Sequence, residues 1–176
     1  YCREWLSTVT ELSIKKPEFR LVVKDYDTTK ICECRESSFY VLKADLYLIE
    51  PPVICSCQGH VPLYRLPKIR NDEYFDVLQW QKVYKACDQL FMDGTGERYG
   101  YKMMHNPQST LAINGRKVCS FLEDATGKAF YYFLFKFYGK NKNNCPVCGK
   151  NWVNHDASSG YAYVCHSCRV VSKDLS

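Results

Sequence analysis

The sequence predicts an α+β fold: an antiparallel sheet with two main helices, followed by a small cysteine-held unit at the C-terminal end. Three observations predict it. Two segments repeat apolar residues at helical spacing, and several short aromatic or β-branched runs read as strands. The final stretch carries two Cys-x2-Cys pairs within some thirty residues, too few to build a core of their own. The implied organisation is an α+β domain over 1–139 and a terminal unit over 140–176.

Taken in order, residues 18–24 (EFRLVVK) read as a strand and DYDTT as the turn after it. Residues 39–42 and 46–49 then read as the two strands of a hairpin, flanked by ICEC and ICSC. On a strand, residues i and i+2 share a face, so Cys32 with Cys34 and Cys55 with Cys57 each present two thiolates together. A metal clasp over 32–57 is expected, with His60 as an alternative to one of the thiolates. Asn71 or Asp72 caps a helix in which Phe75, Leu78, Val83 or Tyr84, and Cys87 recur to about residue 88. MDGTGERYG reads as the break and as a loop. A second helix runs over roughly 108–125, with Leu111, Val118, Cys119 and Leu122 on one side and Gly127 as its stop. Gly115 is the weak point of its first half.

KAFYYFLFKFYGK follows as a strand aromatic on both faces: Tyr131, Phe133, Phe135 and Phe137 on one, Tyr132, Leu134, Lys136 and Tyr138 on the other. Such a strand sits centrally, with a helix on at least one face. In the terminal unit the spacing is Cys145-x2-Cys148, sixteen residues, Cys165-x2-Cys168. A Cys-x-x-Cys turn converges two thiolates on one ion, and a second turn on an adjacent hairpin completes a tetrahedron of sulfurs, a zinc ribbon. Pro146 and Gly149 suit the tight knuckle, and residues 150–153 and 160–164 can pair across it. A closed four-thiolate site leaves no position for a substrate, so the role expected of the zinc is structural. Two Zn2+ sites are expected in all.

The eleven cysteines are odd in number and come in close pairs, which fits metal sites in reducing cytoplasm better than disulfides. Cys2, Cys87 and Cys119 stand alone and read as small buried residues. No apolar run approaches the ~20 residues of a membrane helix, and no signal peptide is visible. The first residue is Tyr1, which suggests part of a longer polypeptide. Formal net charge is +5 with cysteines neutral; each tetrathiolate zinc site contributes −2, so two reduce it to +1. Overall basicity is therefore a poor sign of nucleic-acid binding, and only a local patch can carry it.

The run VPLYRLPKIRNDEYFDVLQWQKVYKACDQLFMDGTGERYGYKMM, the strand YYFLFKFYGK and the terminal CPVCGKNWV…CHSCRVVS occur in an order that resembles a bacterial family of uncharacterised proteins. That family is described as zinc-ribbon-containing and as a candidate nucleic-acid binder. The resemblance covers about residues 17–173. It implies that Glu97 and Arg98 follow the family pattern, as a functional or an ordinary ion pair. It departs at the upstream cluster, which in the family more often ends in Cys-x-x-Cys; here only Ser56 separates Cys55 from Cys57.

Catalytic signatures are missing from the sequence. No histidine is followed by x-Glu as a zinc deaminase requires, and no phosphate loop, G-x-S-x-G or H-E-x-x-H occurs. The expectation is a non-enzymatic binding protein. Lys140, Lys142, Lys150, Arg169 and Lys173 stand against Asp156 and Asp174, with Trp152, Tyr161 and Tyr163 among them, so the ribbon offers a local excess of +3 interleaved with rings. Lys150, Trp152, Tyr161 and Arg169, with Arg98, are the expected contact residues. Arg65, Lys68 and Arg70 with Tyr64 form a second basic group. The alternative is protein recognition, such as an immunity protein that neutralises a toxin, through an acidic patch of Asp45, Glu50, Asp72, Glu73 and Asp76.

Overall fold

A computed structural model describes residues 3–12, 30–47, 49–68, 74–156 and 160–173. The strand expected at 18–24, the cap at Asn71 or Asp72, and Cys2 lie outside them. Helix α1 (Arg3–Glu11) precedes strands β1 (Phe39–Leu42) and β2 (Val53–Cys55) and a 3-10 turn at Leu63–Arg65. Helices α2 (Phe75–Met92), α3 (Glu97–His105) and α4 (Thr110–Thr126) follow, then β3 (Ala129–Phe133), β4 (Tyr163–Cys165) and β5 (Val170–Ser172).

The five strands form one sheet in the order β2-β1-β3-β5-β4. The α+β class holds, but the sheet is mixed and not purely antiparallel. β1 pairs with β3 in parallel, Phe39 opposite Ala129, and β3 pairs with β5 in parallel, Tyr132 opposite Val170. β2 and β4 lie antiparallel at the two edges, on β1 and β5 respectively. The cause is the helical stretch between β1 and β3: parallel neighbours need a long crossover, and α2 to α4 supply it. The expected strand at 46–49 is bend and coil where described; β1 turns back later, through Pro51 and Pro52, into β2.

Alternation assigns the two sheet faces. Leu42, Val53, Phe130, Tyr132, Leu134 and Val170 join Val77, Trp80, Tyr84, Met104, Leu111 and Leu122 in the main core. Val41, Ile54, Tyr131, Phe133 and Val171 form a smaller cluster on the other face with Tyr161. Each large side chain so buried contributes roughly 1.5–3 kcal/mol. β3 is the central strand, aromatic on both faces, as its sequence predicts.

The stretch read as a loop at MDGTGERYG becomes a break followed by helix α3, which begins at Glu97. Gly100 is the reason: a Cβ there would lie 2.3 Å from the Cys87 carbonyl oxygen, so glycine lets α3 cross close over α2. Gly115 works the same way in α4, where a Cβ would fall 2.2 Å from the Tyr132 ring. Ser109 caps α4 by accepting the Ala112 N–H at 3.1 Å, and Gly127 ends it with φ 67°.

Candidate metal centres and their surroundings

Both cysteine sets converge. The sulfurs of Cys32, Cys34, Cys55 and Cys57 lie within 4.8 Å of one another, and so do those of Cys145, Cys148, Cys165 and Cys168. Cys148 Sγ and Cys165 Sγ are 3.7 Å apart. A tetrahedron built on metal–sulfur bonds of about 2.3 Å has an edge of about 3.8 Å, whereas a disulfide needs about 2.05 Å. Ten cysteines from Cys32 to Cys168 are free thiols. The geometry therefore fits a four-coordinate ion at each cluster and no covalent bond.

The backbone explains how pairs in sequence become ligand pairs. Residues that follow the second cysteine of a pair adopt the left-handed region: Gln58 with φ 65°, Gly149 with φ 74° and Arg169 with φ 52°. That conformation turns the chain back so that its amides close onto the first cysteine of the pair, as at Cys55 and Cys145. Gln58 N–H donates to Cys55 O at 2.8 Å, Gly149 N–H to Cys145 O at 2.8 Å, and Val147 N–H to Cys145 Sγ at 3.4 Å. At the first cluster Ser37, buried, places its hydroxyl 3.2 Å from Cys55 Sγ. Arg65 donates to the carbonyls of Cys32 and Cys34, holding that segment in place from outside. Ser37 and Arg65 are supports that spacing alone does not reveal. His60 is not a ligand in this arrangement: its Nδ1 lies 2.8 Å from the Pro51 carbonyl.

Electrostatics within each cluster favours a cation. Burial pushes Cys55 up, yet the Cys57 N–H, the Ser37 hydroxyl and the neighbouring thiols hold it down at about 6. The Lys150 N–H and then Cys168 lower Cys148 to about 6. Their partners move the other way: burial first, then the adjacent thiols, push Cys32 and Cys168 up to about 12. One thiolate forms and opposes the ionisation of the rest. A divalent ion at the centre reverses that opposition and lets all four sulfurs bind as thiolates.

Both clusters lie at the same end of the sheet. Cys55 closes β2 opposite Tyr40 near the start of β1, and Cys165 closes β4 opposite Val170 at the start of β5. Each edge strand is also covered by an arm anchored at a cluster. Residues 59–61 lie along β2, with Cys55 N–H to Gly59 O and Val61 N–H to Val53 O, each 2.8 Å. Residues 152–154 lie along β4, with Val164 N–H to Trp152 O at 2.7 Å and Asn154 N–H to Ala162 O at 2.8 Å. This second pairing is the one expected between 150–153 and 160–164.

The expected contact residues fare differently. Lys150 and Arg98 are exposed. Trp152 is 2% exposed, its indole donating to the Lys142 carbonyl at 2.7 Å, and Tyr161 is 5% exposed in the second cluster. Both rings pack the ribbon against the sheet and offer no free face. Arg169 binds Glu123 on α4 through Nε and a terminal nitrogen, the latter at 2.7 Å, and lies 5.4 Å from the Tyr131 ring centre. Glu97 accepts from the Tyr138 hydroxyl, and no ion pair joins it to Arg98 among the described residues. Of the second basic group, Tyr64 and Lys68 are exposed and Arg70 lies outside the described residues. Asp72 and Glu73 of the acidic patch also lie outside them. Cys87 and Cys119 are buried, and no helix among the described residues is long and apolar enough to cross a membrane.

Comparison with known proteins gives a family and no activity. No solved structure matches the chain. Two proteins of Haemophilus influenzae, both described as uncharacterised, are 30% identical to it over 163 residues, or 88% of this chain. The match spans 80% of one and 62% of the other, so the chain accounts for less than two thirds of the second. Residues 34–135 match the family described as "Domain of unknown function (DUF2310)", a span that opens at Cys34 of the first cluster and closes just beyond β3. With more than half its length matched in this way, the chain belongs to the DUF2310 family of uncharacterised bacterial proteins.

Proposed function

We propose that this chain is a non-enzymatic zinc protein that binds single-stranded nucleic acid, with both metal sites structural. Four thiolates without a carboxylate or open position are the donor set zinc takes in structural sites. The observation that carries the binding reading is the segment joining β3 to the ribbon. Residues 125–155 contain Lys128, Lys136, Lys140, Lys142 and Lys150 and no acidic residue. Phe137 and Tyr138 stand 49% and 48% exposed within it, Lys140 and Lys142 are exposed close after them in sequence, and Lys150 is exposed at the second cluster. Cations that meet phosphates and rings on which bases stack are what sequence-tolerant strand binding requires. Phe137 and Tyr138 thus take the part first expected of Trp152 and Tyr161.

The rival reading, a protein-recognition module such as an immunity protein against a toxin, draws on Tyr47 and Ile49, 71% and 95% exposed beside Asp45. Fluorescence anisotropy of the zinc-loaded chain on labelled single-stranded RNA and duplex DNA, across a salt series, separates the two. Expected is binding that weakens log-linearly, with a slope of about −2 for three neutralised phosphates on a single strand. Tyr138→Ala should weaken it by about 1–3 kcal/mol. Absence of binding at low salt would sink the nucleic-acid reading and leave protein recognition.

A further inference from the structure

The metal clusters occupy the end of the sheet where β1, β3 and β5 begin. The opposite end, where these three parallel strands finish, is where sheets of this kind hold ligands, because the strands stop while their side chains and backbone groups still converge. A cleft of about 400 Å³ opens there between the sheet and α2, within the range of small-molecule sites. Each parallel strand delivers to it: Lys43 directly after β1, Phe133 and Phe135 from β3 and its extension, and Lys173 directly after β5.

Its charges are arranged unevenly. The two carboxylates of the lining are engaged by the backbone of the adjacent loop: Asp88 Oδ2 accepts the Leu46 N–H at 3.0 Å, and Asp45 Oδ1 accepts the Tyr47 N–H at 3.1 Å. Neither Lys43 nor Lys173 forms an ion pair among the described residues. Lys43 Nζ instead sits 5.1 Å from the Phe133 ring centre. Burial, and then the charge of Lys173, push the Lys43 ammonium below its ordinary value in spite of Asp45 and Asp88. Two ammonium groups held near each other in a half-buried cleft are a cost that an anion placed with them removes. The apolar part is equally specific. Phe135 and Phe137 lie within 14° of parallel with centres 6.4 Å apart, Phe91 packs edge-on against both, and Phe137 stays half exposed as a face for a further ring.

We propose that this cleft binds a mononucleotide unit, its base against Phe135 and Phe137 and its phosphate drawn to Lys43 and Lys173. A free nucleotide and the phosphate-bearing end of a strand present the same chemistry. The site shares Phe137 with the proposed strand-binding surface but none of Lys140, Lys142 and Lys150, and it stands whether or not those lysines bind a strand.

The test titrates the zinc-loaded chain with AMP, adenosine and inorganic phosphate, followed by calorimetry and by amide chemical shifts. Expected is AMP binding that shifts residues 43–47 and 133–137 and is at least tenfold tighter than adenosine or phosphate alone. Lys43→Gln and Lys173→Gln should each weaken AMP at least tenfold with two zinc ions per chain retained. Lys173 follows the last strand, so its variant reads the site even if Lys43→Gln disturbs the fold. Lys140→Ala with Lys142→Ala should leave AMP binding unchanged, which separates this cleft from the strand-binding surface. A 5′-phosphorylated oligonucleotide that outcompetes AMP, where its 5′-hydroxyl counterpart does not, identifies a strand end as the source; failure of both to displace AMP identifies the free nucleotide. Absence of shifts at millimolar AMP, equal affinity for adenosine, or unaltered binding in both lysine variants would overturn the proposal.

Discussion

Arg169 combines a local and a distant task. Its φ of 52° turns the knuckle after Cys168, and its guanidinium spans from the ribbon to Glu123 on α4. The two tasks separate by substitution. Arg169→Ala loses the ion pair, about 1 kcal/mol for a partly exposed pair, and keeps the left-handed strain. Arg169→Gly loses the same pair but relieves that strain, so it should be the more stable variant by about 1 kcal/mol in urea unfolding. His105 carries a pH signature. Burial lowers its pKa below the ordinary 6.5, Lys136 adds to this, and the Phe135 carbonyl opposes it. The folded chain thus favours the neutral ring, so stability is full above about pH 6.5 and declines as pH falls toward the depressed value. His105→Gln should flatten the decline between pH 7 and 5.5, at a cost of about 1 kcal/mol from the lost stack on Tyr101, read as melting temperature against pH.

At the level of elements, glycines decided where the sequence misled. Gly94, with φ 72°, ends α2 in the usual way and Gly96 is the N-cap of α3, but Gly100 and Gly115 sit inside helices at points of contact with Cys87 and Tyr132. Gly115→Ala should destabilise by about 2–3 kcal/mol through overpacking, although alanine favours an isolated helix by about 1. Thermal unfolding of the zinc-loaded variant checks this, and an increase in stability would show that the α4–β3 contact has room to relax. The helical periods of α2 and α4, the Gly127 stop and the two-faced aromatic strand were legible because local periodicity encodes them. The parallel direction of β1, β3 and β5 was not, since pairing between strands far apart in sequence leaves no local trace. The convergence of the two cysteine sets was legible by spacing, and Arg65 and Ser37 were not, because each acts on the half of the first cluster that is farther from it in sequence.

For the whole molecule, the two clusters stand at opposite edges of one sheet, so ions bound at them would contribute separably. Cys148→Ser or Cys165→Ser should lower bound zinc from two ions per chain to one, and so should Cys55→Ser, each read by elemental analysis alongside circular dichroism. Retention of two ions in any of these would contradict the ligand assignment. Because β5 and β4 extend the sheet that β1 and β3 begin, loss of the ribbon ion should also lower the protection of β3 amides from hydrogen exchange, beyond the ribbon itself.

The arms at 59–61 and 152–154 close the outer hydrogen-bonding rims of β2 and β4, and each arm hangs from its own cluster. Release of both metals therefore uncovers two rims on one molecule, facing opposite ways. A single open rim lets two molecules pair and stop; two let growth continue without limit. Metal starvation would turn this chain into a bifunctional unit for linear polymerisation, with its order of assembly governed by which cluster empties first.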